Sequence, residues 1–243
     1  MAGKYTSLTP YSYCANNSVN LVDPNGKEWR DKNNTITVSL NLTNSAGINI
    51  SLLDQYKNEI SMYFNEVITT ASRGKYSGEV IFYENNREIE QTLDLGTFND
   101  NSIGGSTTRM FSIVNVHNKE GELLSVTSLA QSAVHELFHT LRLDHPFEMT
   151  QTKDTELIRI GINTYISTKN TDPQIINNIM NYPNIIIDGQ KGSTMNLLTP
   201  GQFNFIRKEI QLQEMGYGLI KGSYLKHYEK YWNNWPGTRV GSL

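Results

Sequence analysis

The hydrophobic pattern changes from a strand period to a helix period within residues 35–74. Apolar and polar residues alternate from Thr35 to Leu42, which predicts a half-buried strand. Ser51 and Asp54 then have the spacing of a capping box, and Gly74 predicts a helix end. Between them, apolar residues recur every three or four positions, which predicts the inner face of one long helix: Leu52, Tyr56, Ile60, Tyr63, Phe64, Val67, Ile68 and Ala71.

Further strands and two more helices are predicted downstream. The runs 79–83, 91–95 and 110–117 have strand patterns. Ser128 and Gln131 form a capping box that predicts a helix start just after Ser128. One apolar stripe follows it: Leu129, Ala130, Ala133, Val134, Leu137, Phe138 and Leu141.

The third helix is predicted to begin at Thr199-Pro200-Gly201-Gln202, which combines a threonine cap, proline at the first helical position and a closing glutamine. The segment between His145 and this helix is predicted to be irregular. Strands and helices of these types indicate an α+β fold, but the pattern does not give the order of the strands.

Composition fits one domain of one or two lobes, with 243 residues, a net charge of −3 and a pI near 6.0. The charge argues against nucleic-acid binding, and the lack of a long apolar run predicts no membrane span. Residues 1–33 are polar and rich in asparagine, which predicts an N-terminal extension or lead-in. The first residues lack the apolar core of a signal peptide.

Three of the five histidines lie in residues 135–145. His135 and His139 are four residues apart, so on a helix both imidazoles lie on one face and reach one Zn²⁺. Glu136 reaches water at that ion without being a ligand. His145 completes a three-ligand site whose fourth position stays open, as in catalytic zinc sites.

The segment resembles the signature of the metzincin clan of zinc endopeptidases, which His135, Glu136, His139 and His145 match. Residues 178–182, Asn-Ile-Met-Asn-Tyr, are similar to the metzincin Met-turn. The resemblance implies that Met180 forms an apolar base beneath the metal. It also implies that Tyr182, as in the astacin- and serralysin-like branches, ligates zinc or hydrogen-bonds the reacting carbonyl oxygen.

This resemblance further implies a metzincin-like catalytic domain over residues 34–243. Its upper lobe, about 34–145, would hold a twisted mixed sheet, a backing helix and the zinc helix. Its lower lobe, about 146–243, would be smaller and irregular, with a C-terminal helix. The implied protein is a secreted, monomeric zinc endopeptidase that cleaves protein or peptide substrates with water activated by Glu136.

One position departs from the signature, because Arg142 stands where the family has glycine. That glycine lets the chain leave the helix in the left-handed conformation, which costs other residues about 1–2 kcal/mol. Arg142 also places a positive charge near the cleft. The departure leaves open whether His145 reaches the metal in the usual geometry.

Several alternatives stay open at this point. An acidic third ligand, Glu148 or Glu156, would place the chain in another class of zincin. Cys14 or Asp23 is a weak candidate for a latency ligand. The Asn99–Ser106 segment is a loop by composition, and a structural Ca²⁺ there has no supporting motif. His117 and His227 fit no ligand spacing. A zincin fold with narrow or lost peptidase activity, acting as a binding domain, is the main functional alternative.

Overall fold

The computed structural model describes residues 28–99, 104–107, 110–118, 120–143, 155–160, 163–168, 177–180, 185–187, 190–191 and 197–214. Within these residues the fold contains helices and strands in mixed order. They are β1 (Trp29–Lys32), β2 (Thr35–Thr43), α1 (Ile50–Ala71), β3 (Ser77–Tyr83), β4 (Thr92–Gly96), β5 (Gly105–Thr107), β6 (Phe111–Asn115), α2 (Val126–Thr140), β7 (Thr155–Ile160), β8 (Asn163–Thr168), β9 (Ile185–Ile187), β10 (Gln190–Lys191) and α3 (Pro200–Glu214).

The larger sheet is mixed and is organised around β2. Strand β3 pairs with β2 in parallel along one side. On the other side, β1 pairs antiparallel with residues 35–38 and β4 pairs parallel with residues 41–43. Strand β6 is parallel to β4, and β5 closes that end of the sheet as an antiparallel edge strand. The α+β class predicted from the pattern is confirmed.

Helices α1 and α2 pack against each other and against this sheet. The aromatic rings of Trp29, Phe64 and Phe138 are in mutual contact, with centroid distances of 5.8–6.4 Å. The indole N–H of Trp29 donates to the hydroxyl of Thr140 at 3.1 Å, so the polar atom of this buried ring is satisfied. All seven residues of the apolar stripe predicted for α2 are fully buried.

Strand β1 lies inside the segment that composition predicts to be a lead-in. Trp29 is buried in the core, and Arg207 of α3 contacts Asp31 of β1 at 2.8 Å. Within the described residues the sheet therefore begins at Trp29. The pattern missed this strand, because a four-residue strand that contributes one large buried side chain leaves little periodic signal in a polar segment.

Helices α1 and α2 each begin a few residues before the start that the capping boxes predict. Helix α1 is capped by Asn49, whose side chain accepts from the N–H of Leu52. Helix α2 is capped by Ser125, whose side chain accepts from the N–H of Ser128. Asparagine and serine are both strong caps, so each helix begins at the earlier residue that offers a side-chain acceptor.

The prediction of an irregular segment after His145 is wrong for the described residues there, because β7 to β10 form a four-stranded sheet in the order β10-β9-β8-β7. Strands β7 and β8 pair antiparallel and are separated by two residues, the spacing of a hairpin. Among the helices of the described ranges, none is both long and apolar enough to cross a bilayer.

Candidate metal centre

Helix α2 brings two of the predicted zinc ligands together. The Nε2 atoms of His135 and His139 lie 3.0 Å apart, and the ring planes cross at 83°. Four residues correspond to about one helical turn, which places the two imidazoles on one face. His135 is buried and His139 is half-buried, so the pair lies at the boundary between core and solvent.

The other ring nitrogen of each histidine is fixed by a backbone carbonyl. Nδ1 of His135 lies 2.8 Å from the carbonyl oxygen of Ile179, and Nδ1 of His139 lies 2.7 Å from that of Leu143. A carbonyl oxygen only accepts, so each Nδ1 carries the proton and donates. In the neutral imidazoles each Nε2 then presents its lone pair, and the two lone pairs converge.

This donor set fits a Zn²⁺ ion. Metal-binding histidines commonly donate their second ring N–H to a backbone carbonyl, which fixes tautomer and ring orientation. Tetrahedral zinc with Zn–N bonds of about 2.0–2.1 Å holds two ring nitrogens roughly 3.3 Å apart. The observed separation is 0.3 Å shorter than this value, a gap that small ring rotations remove. The two converging lone pairs repel each other at this distance unless a cation or a proton lies between them.

The third predicted ligand, His145, lies outside the described residues, as does Tyr182. A group of three histidine, cysteine, aspartate or glutamate side chains arranged around a metal is accordingly not found among the residues that the structure describes. The structure thus brings His135 and His139 together, and all three ligand assignments stay predictions.

Arg142 stands where the signature has glycine. It adopts the left-handed backbone conformation expected of that position, with φ of 58°. The N–H of Arg142 donates to the carbonyl of His139 at 2.8 Å, and the N–H of Leu143 donates to that of Phe138 at 3.2 Å. These are the two bonds of a Schellman motif, and the apolar contact expected with it is supplied by buried Leu143 and Phe138. The helix therefore ends as the glycine-containing signature would end it, and this ending places the Leu143 carbonyl over His139.

Met180 is fully buried and next in the chain to Ile179, whose carbonyl holds His135. Hydrogen bonds of the Asn178 and Gln202 side chains fix the turn that carries Met180. Asn178 Nδ2 donates to Gln202 Oε1 at 2.7 Å, and Gln202 Nε2 donates to Asn178 Oδ1 at 3.2 Å. The N–H of Met180 also donates to Asn178 Oδ1, at 3.1 Å. Met180 is thus part of the core, next in the chain to the residue that holds His135, and its role as an apolar base stays a prediction.

Gln202 belongs to the capping box predicted for α3. Its N–H donates to Thr199 Oγ1 at 3.1 Å, and its Oε1 accepts from the N–H of Thr199 at 2.9 Å. The sequence pattern identified this cap, but it gave no sign that the same glutamine reaches Asn178. That contact depends on tertiary packing between segments 24 residues apart.

Glu136 is buried against β5, at 6 % exposure. The hydroxyl of Thr107 donates to its carboxylate Oε2 and lies 3.2 Å from its main-chain oxygen. Gly105 faces the same side chain. The prediction of a loop for residues up to Ser106 is wrong at Gly105 and Ser106, which belong to strand β5. Three residues rich in glycine and serine still pair with β6, because the strand pattern of β6 itself is strong. This pairing places Gly105 and Thr107 next to the carboxylate of Glu136.

Glu209 of α3 is a buried carboxyl on which the positive charge of Arg142 acts. Burial raises the pKa of Glu209 to about 7, while the positive charges of Arg142 and Lys208 act in the opposite direction. Glu209 is 1 % exposed, and its Oε2 has no hydrogen-bond partner among the described residues. The side chain predicted to place a cation near the cleft therefore interacts with α3.

The remaining predicted residues contribute no further geometry. His117 forms an isolated bridge with Leu123, at a strand end. Cys14, Asp23, Glu148 and His227 lie outside the described residues, and for Glu156 the structure describes the backbone in β7. The Ca²⁺ alternative falls on residues 99–106, of which 100–103 are outside the description.

Comparison with known proteins adds no family assignment, since the chain matches no protein-family model and no curated protein at a significant level. The geometry around His135 and His139, together with the signature residues, is accordingly the basis for a functional assignment.

Proposed function

We propose that this protein is a zinc-dependent endopeptidase of metzincin type. The observation that carries the proposal is the convergence of the Nε2 atoms of His135 and His139, each oriented by a carbonyl on its Nδ1. A structural pair of histidines has no need for both Nδ1 protons to be directed outward and both lone pairs to be directed inward.

His135, His139 and His145 would hold the metal, and Met180 would form the apolar floor beneath it. A bound Zn²⁺ acts as a Lewis acid and lowers the pKa of water that it contacts. The donor set of three neutral imidazoles leaves the ion its full positive charge, which suits this role. The buried position of His135 supports a site that is only partly open to solvent.

Glu136 would act as the general base and then as the general acid. Its carboxylate is one residue from His135 and is held against β5 by Thr107. In the proposed reaction it accepts the proton of the attacking water and passes it to the leaving amine. Tyr182 would donate a hydrogen bond to the carbonyl oxygen as negative charge develops there. Its place two residues after Met180, as in the Met-turn of the astacin- and serralysin-like branches, supports this role.

The proposal is tested by measuring zinc content and cleavage of a peptide library with wild type and Glu136→Ala. We expect one zinc per chain in both proteins and cleavage only by wild type. Zinc without cleavage of any library peptide by wild type would favour a binding domain that retains the zincin fold. Cleavage of a few related peptides, with casein and gelatin left intact, would indicate a protease of narrow specificity.

A further inference from the structure

Two residues of strand β5 face Glu136, one without a side chain and one with a hydroxyl group. Gly105 and Thr107 are two positions apart, so they lie on the same face of the strand, while Ser106 points to the other face and is exposed. Helix α2 packs against this strand. One face of β5 therefore meets the carboxylate at two points.

At the first point there is no room for a side chain. A Cβ atom built on Gly105 would lie 2.5 Å from Oε1, 2.7 Å from Cγ and 2.8 Å from Cδ of Glu136. Carbon atoms need about 3.5–4.0 Å for favourable contact. The conformation of Glu136 thus depends on glycine at this position, and the reason is space, since Gly105 lies in extended backbone.

At the second point a hydroxyl fixes the carboxylate. Thr107 Oγ1 donates to Oε2 of Glu136, and it lies 3.1 Å from Oγ of Ser112, which is fully buried on β6. Ser112 is opposite Thr107 in the antiparallel register, so the hydroxyl pair is set by the sheet. Hydrogen bonds to a charged group contribute about 1.5–3 kcal/mol.

We propose that Gly105 and Thr107 are positioning residues for the base Glu136. Gly105 leaves the space in which Oε1 lies, and Thr107 holds Oε2, so that the two residues together set the conformation of the carboxylate that would accept the proton of the reacting water. This inference rests on the proposed peptidase function and adds the elements that orient its base. Both residues act on Glu136, which is not a predicted metal ligand, so the expected effect is on the rate and not on the metal.

The test compares Thr107→Val, Thr107→Ser and Gly105→Ala with wild type, each loaded with zinc, and uses Ser106→Ala as the control on the exposed face of β5. We expect Thr107→Val to lower kcat about 10- to 100-fold, the equivalent of one charged hydrogen bond, with KM and zinc content nearly unchanged. Thr107→Ser keeps the hydroxyl and should recover most of kcat. Gly105→Ala should lower kcat similarly, and Ser106→Ala should not.

Thermal unfolding of each variant separates loss of fold from loss of positioning. If Thr107→Val is folded and keeps the wild-type kcat, or if serine fails to restore it, the positioning role is overturned while the peptidase function stands. If zinc-loaded wild type itself cleaves no peptide, the proposed function fails, and the inference fails with it.

Discussion

Asn178 and Gln202 are joined by two reciprocal amide hydrogen bonds, and this pair connects the first turn of α3 to the turn that holds His135. The orientation of both amides is fixed, because the N–H groups of Met180 and Thr199 donate to Asn178 Oδ1 and Gln202 Oε1. The carbonyl that orients His135 belongs to Ile179, between Asn178 and Met180. The proposed metal centre is thus supported by a helix that supplies none of its predicted ligands.

Gln202→Glu should therefore weaken zinc binding. A carboxylate oxygen would replace the amide Nε2 that donates to Asn178 Oδ1, and the turn carrying the Ile179 carbonyl would shift. Groups bonded directly to a metal ligand typically contribute 10- to 100-fold to metal affinity, and Gln202 acts through Asn178 and the Ile179 carbonyl, so we expect a loss of about 10-fold. Competition with a chromophoric chelator measures it. Asn204→Asp, the same chemical change on an exposed position of α3, is the control and should bind zinc as wild type does.

Arg142→Gly should stabilise the helix end, by up to about 1 kcal/mol, because glycine adopts positive φ without strain. Arg73 offers a matched comparison. It is exposed, has φ of 55° and occupies the equivalent position of a second Schellman motif at the end of α1, where Arg73 and Gly74 donate to Thr70 and Thr69.

Chemical denaturation of Arg142→Gly and Arg73→Gly compares the two sites. We expect a smaller gain at Arg142, because that substitution also removes the charge that attracts Glu209. Equal gains would mean that the Arg142 side chain contributes nothing to stability.

Glu209 should make stability depend on pH. Burial raises its pKa from 4.5 to about 7, so between these values the folded protein keeps a proton that the unfolded chain has lost. The stability due to this group is complete below pH 4.5 and decreases as pH rises towards 7, by at most about 1.4 kcal/mol per pH unit. The difference in unfolding free energy between wild type and Glu209→Gln, followed from pH 4.5 to 8, should decline. A difference independent of pH would show that the buried carboxyl is already ionised.

His145→Ala should reduce zinc affinity strongly, because one of three protein ligands is lost. The His227→Ala variant, at a histidine without ligand spacing, serves as control. Unchanged zinc content in His145→Ala would assign the third ligand to an acidic residue, and Glu148→Gln and Glu156→Gln would then be measured in the same assay.

Much of the site followed from the sequence because it depends on local geometry. The i, i+4 spacing of His135 and His139 and the apolar stripe of α2 require only a regular helix. The box Thr199–Gln202 is local in the same way. The left-handed φ of Arg142 agrees with the position of the family glycine, although the residue type alone argues against it.

What the sequence did not predict depends on tertiary packing. Thr107 contacts Glu136 across 29 residues, and this contact needs the antiparallel pairing of β5 with β6, which the composition of β5 hides. Trp29 joins the core through a strand of four residues in a polar segment. Periodicity over a window cannot register elements this short.

The central claim is that Glu136 is the base of a zinc peptidase. It is tested most directly by kcat/KM for one cleaved peptide, measured on wild type and Glu136→Gln at equal zinc content. Glutamine keeps the shape of the side chain and its contact with Thr107, but it cannot take a proton. We predict a loss of at least about 100-fold with one zinc per chain retained. Turnover equal to that of wild type would contradict the account.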